Sequence, residues 1–411
     1  MCGKAGGKLK SEDKEAIKKM VLESIDMSEE IRDENIDGII DRCILDYPDA
    51  VSMRVKEKVQ LKKDLFNAVR RLDILSDLLE DDSITEIMIN GYDNIFIEQA
   101  GRIRRLTQSF DSEEILKSII QQIVAGCNRI VNESVPIADA RLEDGSRVNV
   151  VLPPVSLNGP TMTIRKFPKE KMTMEKLISL GAITKEAAEF LQMLVVAGYN
   201  IFVSGGTGAG KTTFLNALSD YIPADERIIT IEDSAELQLR NVDNLVRLEA
   251  RNSNVEGQNA ISIRTLIKTS LRMRPDRIIV GEVRDAAAID MLSAMNTGHD
   301  GSLSTGHANS SYDMLTRLES MVLMGMDIPL DAVRRQIASA VDIIVHLGRL
   351  RDGSRKVMEI SEVMGVVKGE IKLQKLYEFE DKGFKDGVVY GDLRKLCEIG
   401  DAGKLKRAGV V

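Results

Sequence analysis

Between residue 11 and about residue 80, charged side chains surround Ile, Leu, Val and Met at spacings of three and four, the period of amphipathic helices. The stretch predicts a charged helical extension over residues 1–75. From Ile84 the period shortens. ITEIMIN, NIFIEQ and GRIRRL are short alternating runs punctuated by Gly91 and Gly101, and they predict a small sheet. SEEILKSIIQQIVAGCN, residues 112–128, returns to helical spacing, and DARLEDGSRVNVVLPP then sets Asp144-Gly145 between two strand-like runs, a hairpin signal. TMTIRKF closes a small α+β domain, residues 76–170. KFPKEKMTMEK, residues 166–176, is polar, contains Pro168 and carries no apolar period, so it reads as a linker.

Beyond the linker, helical and strand-like segments alternate: a helix over 184–196, a strand over 199–203, a helix from 211, a strand over 227–231, a helix over 261–273, a strand over 277–281 and a helix from 285. Such alternation predicts a mostly parallel sheet covered by helices on both faces, an α/β domain over residues 171–376. After residue 340 strands and turns dominate, with Asp352-Gly353 at a second hairpin. Residues 377–411 read as a C-terminal tail, its last 30 residues weakly structured.

Composition narrows the class within that outline. A length of 411 residues implies two or three domains, and 43% hydrophobic with 29% charged residues is globular rather than disordered. The net charge of -8 offers no basic footprint of the kind that binds nucleic acid, so no nucleic acid is expected as a partner. Cys2, Cys43, Cys127 and Cys397 are too few and too dispersed for a disulfide framework, which fits a reducing, cytoplasmic setting. No apolar run precedes Cys2, so no signal segment is read there and Cys2 reads as an exposed thiol. The most apolar window, FLQMLVVAGYNIFV at 190–203, falls short of the roughly 20 residues that a bilayer span needs.

The most informative stretch is NIFVSGGTGAGKTTFLNALSD, residues 200–220. Gly205, Gly210, Lys211 and Thr212 satisfy GxxxxGK[ST], with an apolar strand before and a helix-forming run after, the context this pattern requires. Glycines let successive backbone N–H groups turn onto phosphate oxygens, and the positive end of the helix adds to them. Gly205, Gly206, Thr207, Gly208, Ala209, Gly210, Lys211, Thr212 and Thr213 are therefore the expected ATP-binding residues. Lys211 is the charge on the β- and γ-phosphates, and Thr212 is the hydroxyl on Mg2+.

LRMRPDRIIVGEVRD, residues 271–285, holds a buried strand, IIV, ending in Gly281 and Glu282. A carboxylate at the C-terminal end of a parallel strand sits where ligands bind in such sheets, and Glu282 can polarise an attacking water. The strand lacks a terminal Asp. The carboxylates that end RIITI, Glu232 and Asp233, are the expected further source of contacts to metal-bound water. Phosphoryl transfer needs little beyond positioning, metal and positive charge.

In order after the phosphate loop, IEDSAELQL, RLEAR, LRMRPDRIIVGEVRD and MNTGHDGSLSTGHANS resemble the type II/IV secretion ATPase superfamily, most of all its CpaF branch, the motor ATPase of Tad/Flp pilus assembly. Upstream, TEIMINGYDNIFIE, DARLEDGSRVN and GPTMTIRKF extend the resemblance over roughly 75–380. The resemblance implies a RecA-like ATPase domain behind a smaller N-terminal domain, assembly as a homo-hexamer, and ATP hydrolysis that drives an inner-membrane platform from its cytoplasmic face. It places Glu232 and Asp233 in the acidic box, Glu282 as the catalytic carboxylate, His307 near the γ-phosphate and His299 as a second member of the histidine box. Arg141, Arg147 and Arg165 match the N-terminal-domain arginines that reach the nucleotide. Arg272, Arg274 and Arg284 are weaker matches. Two departures stand out. Ala287 replaces an expected carboxylate, and Gly306 replaces a bulkier residue before His307, which is expected to loosen the loop holding that histidine.

The residues by themselves leave NTGHDGSLSTGHAN, 296–309, open to a metal reading as well. Zinc needs three or four ligands at recognisable spacings, and no Cys or further His lies near His299 and His307. A helix ending near Thr297 and a strand through SLST would instead carry His307 to the edge that holds Lys211 and Glu282, where a neutral imidazole can donate to a phosphate oxygen, with His299 as its support. The competing functional readings are a hexameric nucleic-acid translocase and a nucleotide-gated scaffold.

Overall fold

The computed structural model describes residues 16–17, 20–21, 24, 33–48, 53, 55–70, 72, 74–99, 101–127, 129–167, 172–239, 241–251 and 260–410. The chain divides into two compact units between Lys169 and Glu170, inside the expected linker. Residues 168–171 of that linker, Cys2 and the start of the chain lie outside the described residues.

The first unit begins with helices α1 (Asp33–Asp46), α2 (Val55–Arg70) and α3 (Ile74–Glu80). Among the described residues the helical period of the extension is therefore realised, and Ile40, Cys43, Ile44, Leu61 and Leu65 form a small apolar cluster with Ile17 and Val21. Its boundary falls earlier than the expected residue 75, because Leu75 and Leu78 of α3 are buried in the core of the sheet that follows. Strands β1 (Ile84–Asn90), β2 (Ile95–Gln99) and β3 (Arg102–Arg105), helix α4 (Glu113–Gly126) and strands β4 (Ile137–Arg141), β5 (Arg147–Val151) and β6 (Thr161–Arg165) complete the unit. The six strands form one antiparallel sheet in the order β3-β2-β1-β6-β5-β4. Ser112 caps α4 by accepting from the Ile115 N–H, as a serine at that position does. The helix buries Leu116, Ile119, Ile120, Ile123 and Val124 with Ile87, Ile89, Val148, Val150, Met162 and Ile164 of the sheet.

The second unit carries α5 (Met174–Ser179), α6 (Lys185–Val196), β7 (Ile201–Gly205), α7 (Lys211–Ser219), β8 (Arg227–Glu232), β9 (Asn244–Glu249), α8 (Ile263–Ser270), β10 (Arg277–Val280), α9 (Ala287–Met295), β11 (Leu303–His307), α10 (Ser311–Gly325) and α11 (Leu330–Ala340). It continues through β12 (Ile343–Arg349), β13 (Arg355–Val367), β14 (Glu370–Lys385), β15 (Val388–Lys395) and α12 (Gly403–Arg407). The strands lie in the order β15-β14-β13-β12-β7-β11-β10-β8-β9. From β12 to β9 every neighbouring pair is parallel, and β13, β14 and β15 add antiparallel strands at one side.

Both faces of the parallel part are covered, as the alternation of segments predicts. Ile201 and Val203 pack with Leu191, Leu194, Phe214 and Leu218 of α6 and α7, while Phe202 points the other way into Met291, Leu292, Met314 and Leu318 of α9 and α10. Burying each such side chain is worth roughly 1.5–3 kcal/mol, so neither helical layer can leave without exposing an apolar face.

The C-terminal tail, residues 377–411, is not weakly structured toward its end as expected. Tyr377, Leu393 and Leu405 are buried in the core of the unit, and Lys404 Nζ donates to Asp342 Oδ2 at 2.7 Å and Asp300 Oδ1 at 2.8 Å. Tyr199 donates its hydroxyl to the Asp401 carbonyl at 2.7 Å. One face of this segment is charged and faces solvent, which dilutes the apolar signal of the other.

Candidate nucleotide site

Parallel strands β7, β11, β10 and β8 stand side by side and end at one edge of the sheet. In that spatial order they present Gly205, His307, Glu282 just beyond the end of β10, and Glu232. Four motifs that are far apart in sequence thus converge where such sheets bind ligands.

The phosphate loop starts at Gly205, pressed against β12. A Cβ there would lie 2.6 Å from the Leu347 carbonyl oxygen and 3.1 Å from Ala209 Cβ. Gly205→Ala is expected to destabilise the chain by roughly 2 kcal/mol, a usual overpacking penalty, because the atom it meets belongs to the backbone of a paired strand. An unfolding midpoint equal to that of the unmodified chain would refute this. The loop then turns: the Ala209 N–H donates to the Gly206 carbonyl at 3.3 Å, and Gly208 and Gly210 have φ of 72° and 90°, the left-handed region that glycine tolerates. Space is open where Gly206 and Gly208 would carry a Cβ, so a phosphate can approach the backbone. Gly210 caps α7, whose first turn holds half-buried Thr212 and exposed Thr213 and has N–H groups without intrahelical acceptors.

Lys211 opens α7 and is 8% exposed. Its ammonium donates to the Gly206 carbonyl at 3.2 Å and lies 3.2 Å from His307 Nδ1. His307 Nε2 stands 3.1 Å from Glu282 Oε1, at ion-pair distance without the alignment of a hydrogen bond. Arg284 Nη2 donates to Glu282 Oε2 at 2.9 Å, and its Nη1 is 3.7 Å from Asp233 Oδ2.

Burial would raise the Glu282 pKa, but the Arg284 hydrogen bond and charge, aided by His307 and Lys211, outweigh it and hold the carboxyl below its ordinary value. Glu282 is ionised at neutral pH. His307 is pushed below the usual imidazole value, first by burial and then by Lys211, against the pull of Glu282. It is neutral at pH 7, and the ammonium of Lys211, nearer Nδ1 at 3.2 Å than Nε2 at 3.5 Å, favours the tautomer with the ring proton on Nε2.

Glu232 is 3% exposed. Its Oε2 accepts from the N–H groups of Glu236 at 2.7 Å and Leu237 at 2.9 Å, while Oε1 is buried without a hydrogen-bond partner. Burial pushes this carboxyl up against those two bonds. Gly281 makes the room, since a Cβ there would meet Glu232 Cγ at 3.0 Å. The open loop, the Thr212 hydroxyl and the unpartnered Glu232 oxygen fit a magnesium nucleotide, whose phosphates the loop and Lys211 would hold and whose metal-bound waters the carboxylates would face.

The structure separates the two histidines of NTGHDGSLSTGHAN. His299 precedes β11, and its Nδ1 lies 3.1 Å from the Ala294 carbonyl oxygen. Its neighbours Asp300 and Ser302 contact Gly198 and Asn200, just ahead of β7. That is the opposite edge of the sheet, one strand length of about 16 Å away, so His299 neither lines the phosphate site nor supports His307 there. Arg272 and Arg274 precede β10 at that same opposite edge. Gly306 does not loosen His307 either. It is buried inside β11, paired with Ser204, and a Cβ would meet Met314 Cε at 2.7 Å, so Met314 fills the place of the missing side chain. Ala287 is 2% exposed in the apolar core, where a carboxylate would lose its hydration.

In the first unit, Arg141 pairs with Arg147 across β4 and β5, and Arg147 with Arg165 across β5 and β6. Directly opposed residues share a face, so three arginines form one row. Two residues near the phosphate loop escape the sequence reading. His346 Nδ1 lies 2.8 Å from Ser204 Oγ, and Arg355 Nε donates to the Gly208 carbonyl at 2.8 Å. A histidine inside the apolar run IIVHLG is a signal for the first. Nothing local announces Arg355.

A model of type II/IV secretion system proteins matches residues 70–378. The chain belongs to the type II/IV secretion system protein family. Among its members, a Mycobacterium tuberculosis (strain H37Rv) protein named for conjugal transfer is 35% identical over 322 residues, 77% of this chain and 90% of the relative. The type IV secretion system protein VirB11 of Brucella suis is 32% identical over 320 residues, 71% and 88% of the two chains. The solved ATPase DotB of Yersinia pseudotuberculosis aligns with a TM-score of 0.52 at 19% identity, over 71% of this chain and 78% of that one. This family member thus has the mixed α/β fold of an N-terminal domain followed by a RecA-like domain.

Proposed function

We propose that the chain is a magnesium-dependent ATP hydrolase, the motor of a Tad/Flp-type pilus or of a type II/IV secretion machine. One observation carries this reading: Lys211, His307, Glu282 and Arg284 form a continuous chain of contacts at the strand edge that holds the phosphate loop. Lys211 and the loop N–H groups bind the phosphates, ionised Glu282 accepts a proton from the attacking water, and neutral His307 donates from Nε2 to the phosphate. Magnesium, when bound, neutralises phosphate charge. Thr212 would hold it directly, and Glu232 and Glu282 through water, with Asp233 nearby.

Membership of the secretion family supports a motor, and the resemblance of TEIMINGYDNIFIE and MNTGHDGSLSTGHANS to the CpaF branch favours pilus assembly. In this reading six copies form a ring that couples ATP turnover to an inner-membrane platform at the cytoplasmic face of the membrane, and Arg141, Arg147 and Arg165 respond to the phosphate. The proposed membrane association is through that platform; no helix among the described residues is long and apolar enough to cross a membrane. The test is phosphate release from ATP by the full chain. Release that requires Mg2+, stops with chelator and does not respond to single-stranded DNA is expected. ATP binding without hydrolysis would favour the nucleotide-gated scaffold, and strong stimulation by the DNA would favour a translocase.

A further inference from the structure

The β12–β13 hairpin runs along the outside of the phosphate loop, and one of its residues holds the tip. β12 pairs with β7 up to Leu347 opposite Gly205, then the chain reverses and Arg355 at the start of β13 returns to the loop. Its Nε donates to the Gly208 carbonyl at 2.8 Å, and its Cδ lies 3.4 Å from the position of a Cβ on Gly210. The carbonyl it holds is the third residue's in the turn Gly206–Thr207–Gly208–Ala209, whose first carbonyl, of Gly206, accepts from the Ala209 N–H at 3.3 Å and from Lys211 Nζ at 3.2 Å. The hairpin turn is itself fixed. Asp352 Oδ1 accepts from the Ser354 N–H at 2.9 Å and hydroxyl at 2.6 Å, and its Oδ2 accepts from the Val389 N–H of β15 at 2.8 Å. The Ser354 hydroxyl and the Val389 N–H bring its pKa down to about 2, so Asp352 is an ionised acceptor at ordinary pH.

We propose that Arg355 is a positioning residue for the nucleotide: by fixing the Gly208 carbonyl outward it pre-forms the loop tip, so that the N–H groups following it meet the phosphates without first being ordered. The inference rests on the nucleotide reading of the site. Loop ordering that is already complete in the free protein does not have to be done at the expense of binding. The effect therefore falls on ligands that carry phosphates, and on binding more than on the chemical step.

The geometry supplies an unusual test, because the acting atom is Nε. In Gln the side-chain nitrogen sits at the same distance along the chain as Nε and is a neutral donor, whereas Lys places a methylene there and its charge one bond further. Binding of a fluorescent ADP (mant-ADP) to the full chain is measured for R355A, R355Q and R355K, with adenosine as competitor and the unfolding midpoint as control. R355A is expected to bind mant-ADP about tenfold more weakly, the worth of one hydrogen bond from a charged donor discounted for its exposure. Adenosine affinity and the midpoint should stay unchanged, KM for ATP should rise and kcat should not. R355Q should recover most of the affinity and R355K little of it. Full recovery by R355K with none by R355Q would overturn the proposal in favour of simple charge attraction, as would an R355A that binds like the unmodified chain. If the unmodified chain binds no mant-ADP, the nucleotide reading falls and this inference with it.

Discussion

Glu282→Gln is expected to bind ATP within about threefold of the unmodified chain and to release phosphate about 100-fold more slowly, the lower range for loss of a positioned general base. The substitution keeps size and both side-chain positions, so the Arg284 contact at 2.9 Å retains an acceptor. What it removes is a carboxylate that is ionised because Arg284, His307 and Lys211 outweigh its burial. Glutamine cannot take a proton from water at any pH, so lost turnover should not return on raising the pH. Single-turnover phosphate release and equilibrium nucleotide binding, measured on the same preparation, separate the two effects. Turnover within threefold of the unmodified chain would remove Glu282 from the role of base.

Lys211→Ala should act on binding itself. Lys211 is almost buried, and its ammonium is already turned toward the loop by the Gly206 carbonyl and His307. Removing one partner of such a desolvated charge pair costs about 2–5 kcal/mol of binding, so ATP affinity should fall by at least about 30-fold, which 2 kcal/mol represents. A second readout needs no nucleotide. Lys211 is the second cause, after burial, of the depressed His307 pKa. In Lys211→Ala that pKa should rise toward, but not reach, the ordinary value near 6.5, since burial remains. The imidazole would then protonate at higher pH than in the unmodified chain. An NMR titration in which His307 does not move, or moves down, would contradict the placement of these two side chains.

Much of the site could be read from short stretches. The phosphate loop with the helix that opens from it, and the strands that run to Glu232 and Glu282, are patterns of neighbouring residues, and periods of two and 3.6 are local properties. The same holds for the Asp144-Gly145 and Asp352-Gly353 hairpins. The last 35 residues resisted such reading because Tyr377, Val389 and Leu393 lie among charged residues that face solvent, and their burial depends on a partner surface elsewhere in the chain. His299 and His307 show the same limit within one motif. They stand only eight positions apart, yet β11 carries one across the sheet to the opposite edge.

By itself the sequence determined the chemistry of each piece: a loop built for phosphate, a lysine to follow it, carboxylates at strand ends and an imidazole on a fourth strand. Tertiary structure decided which pieces meet. The order β12-β7-β11-β10-β8 puts His307 between Lys211 and Glu282 and brings Arg355 to a carbonyl 147 residues earlier, and antiparallel register sets Arg141, Arg147 and Arg165 in one row. Strand order and register follow from burying both faces of a sheet at once, a balance over the whole unit that no short window of residues contains.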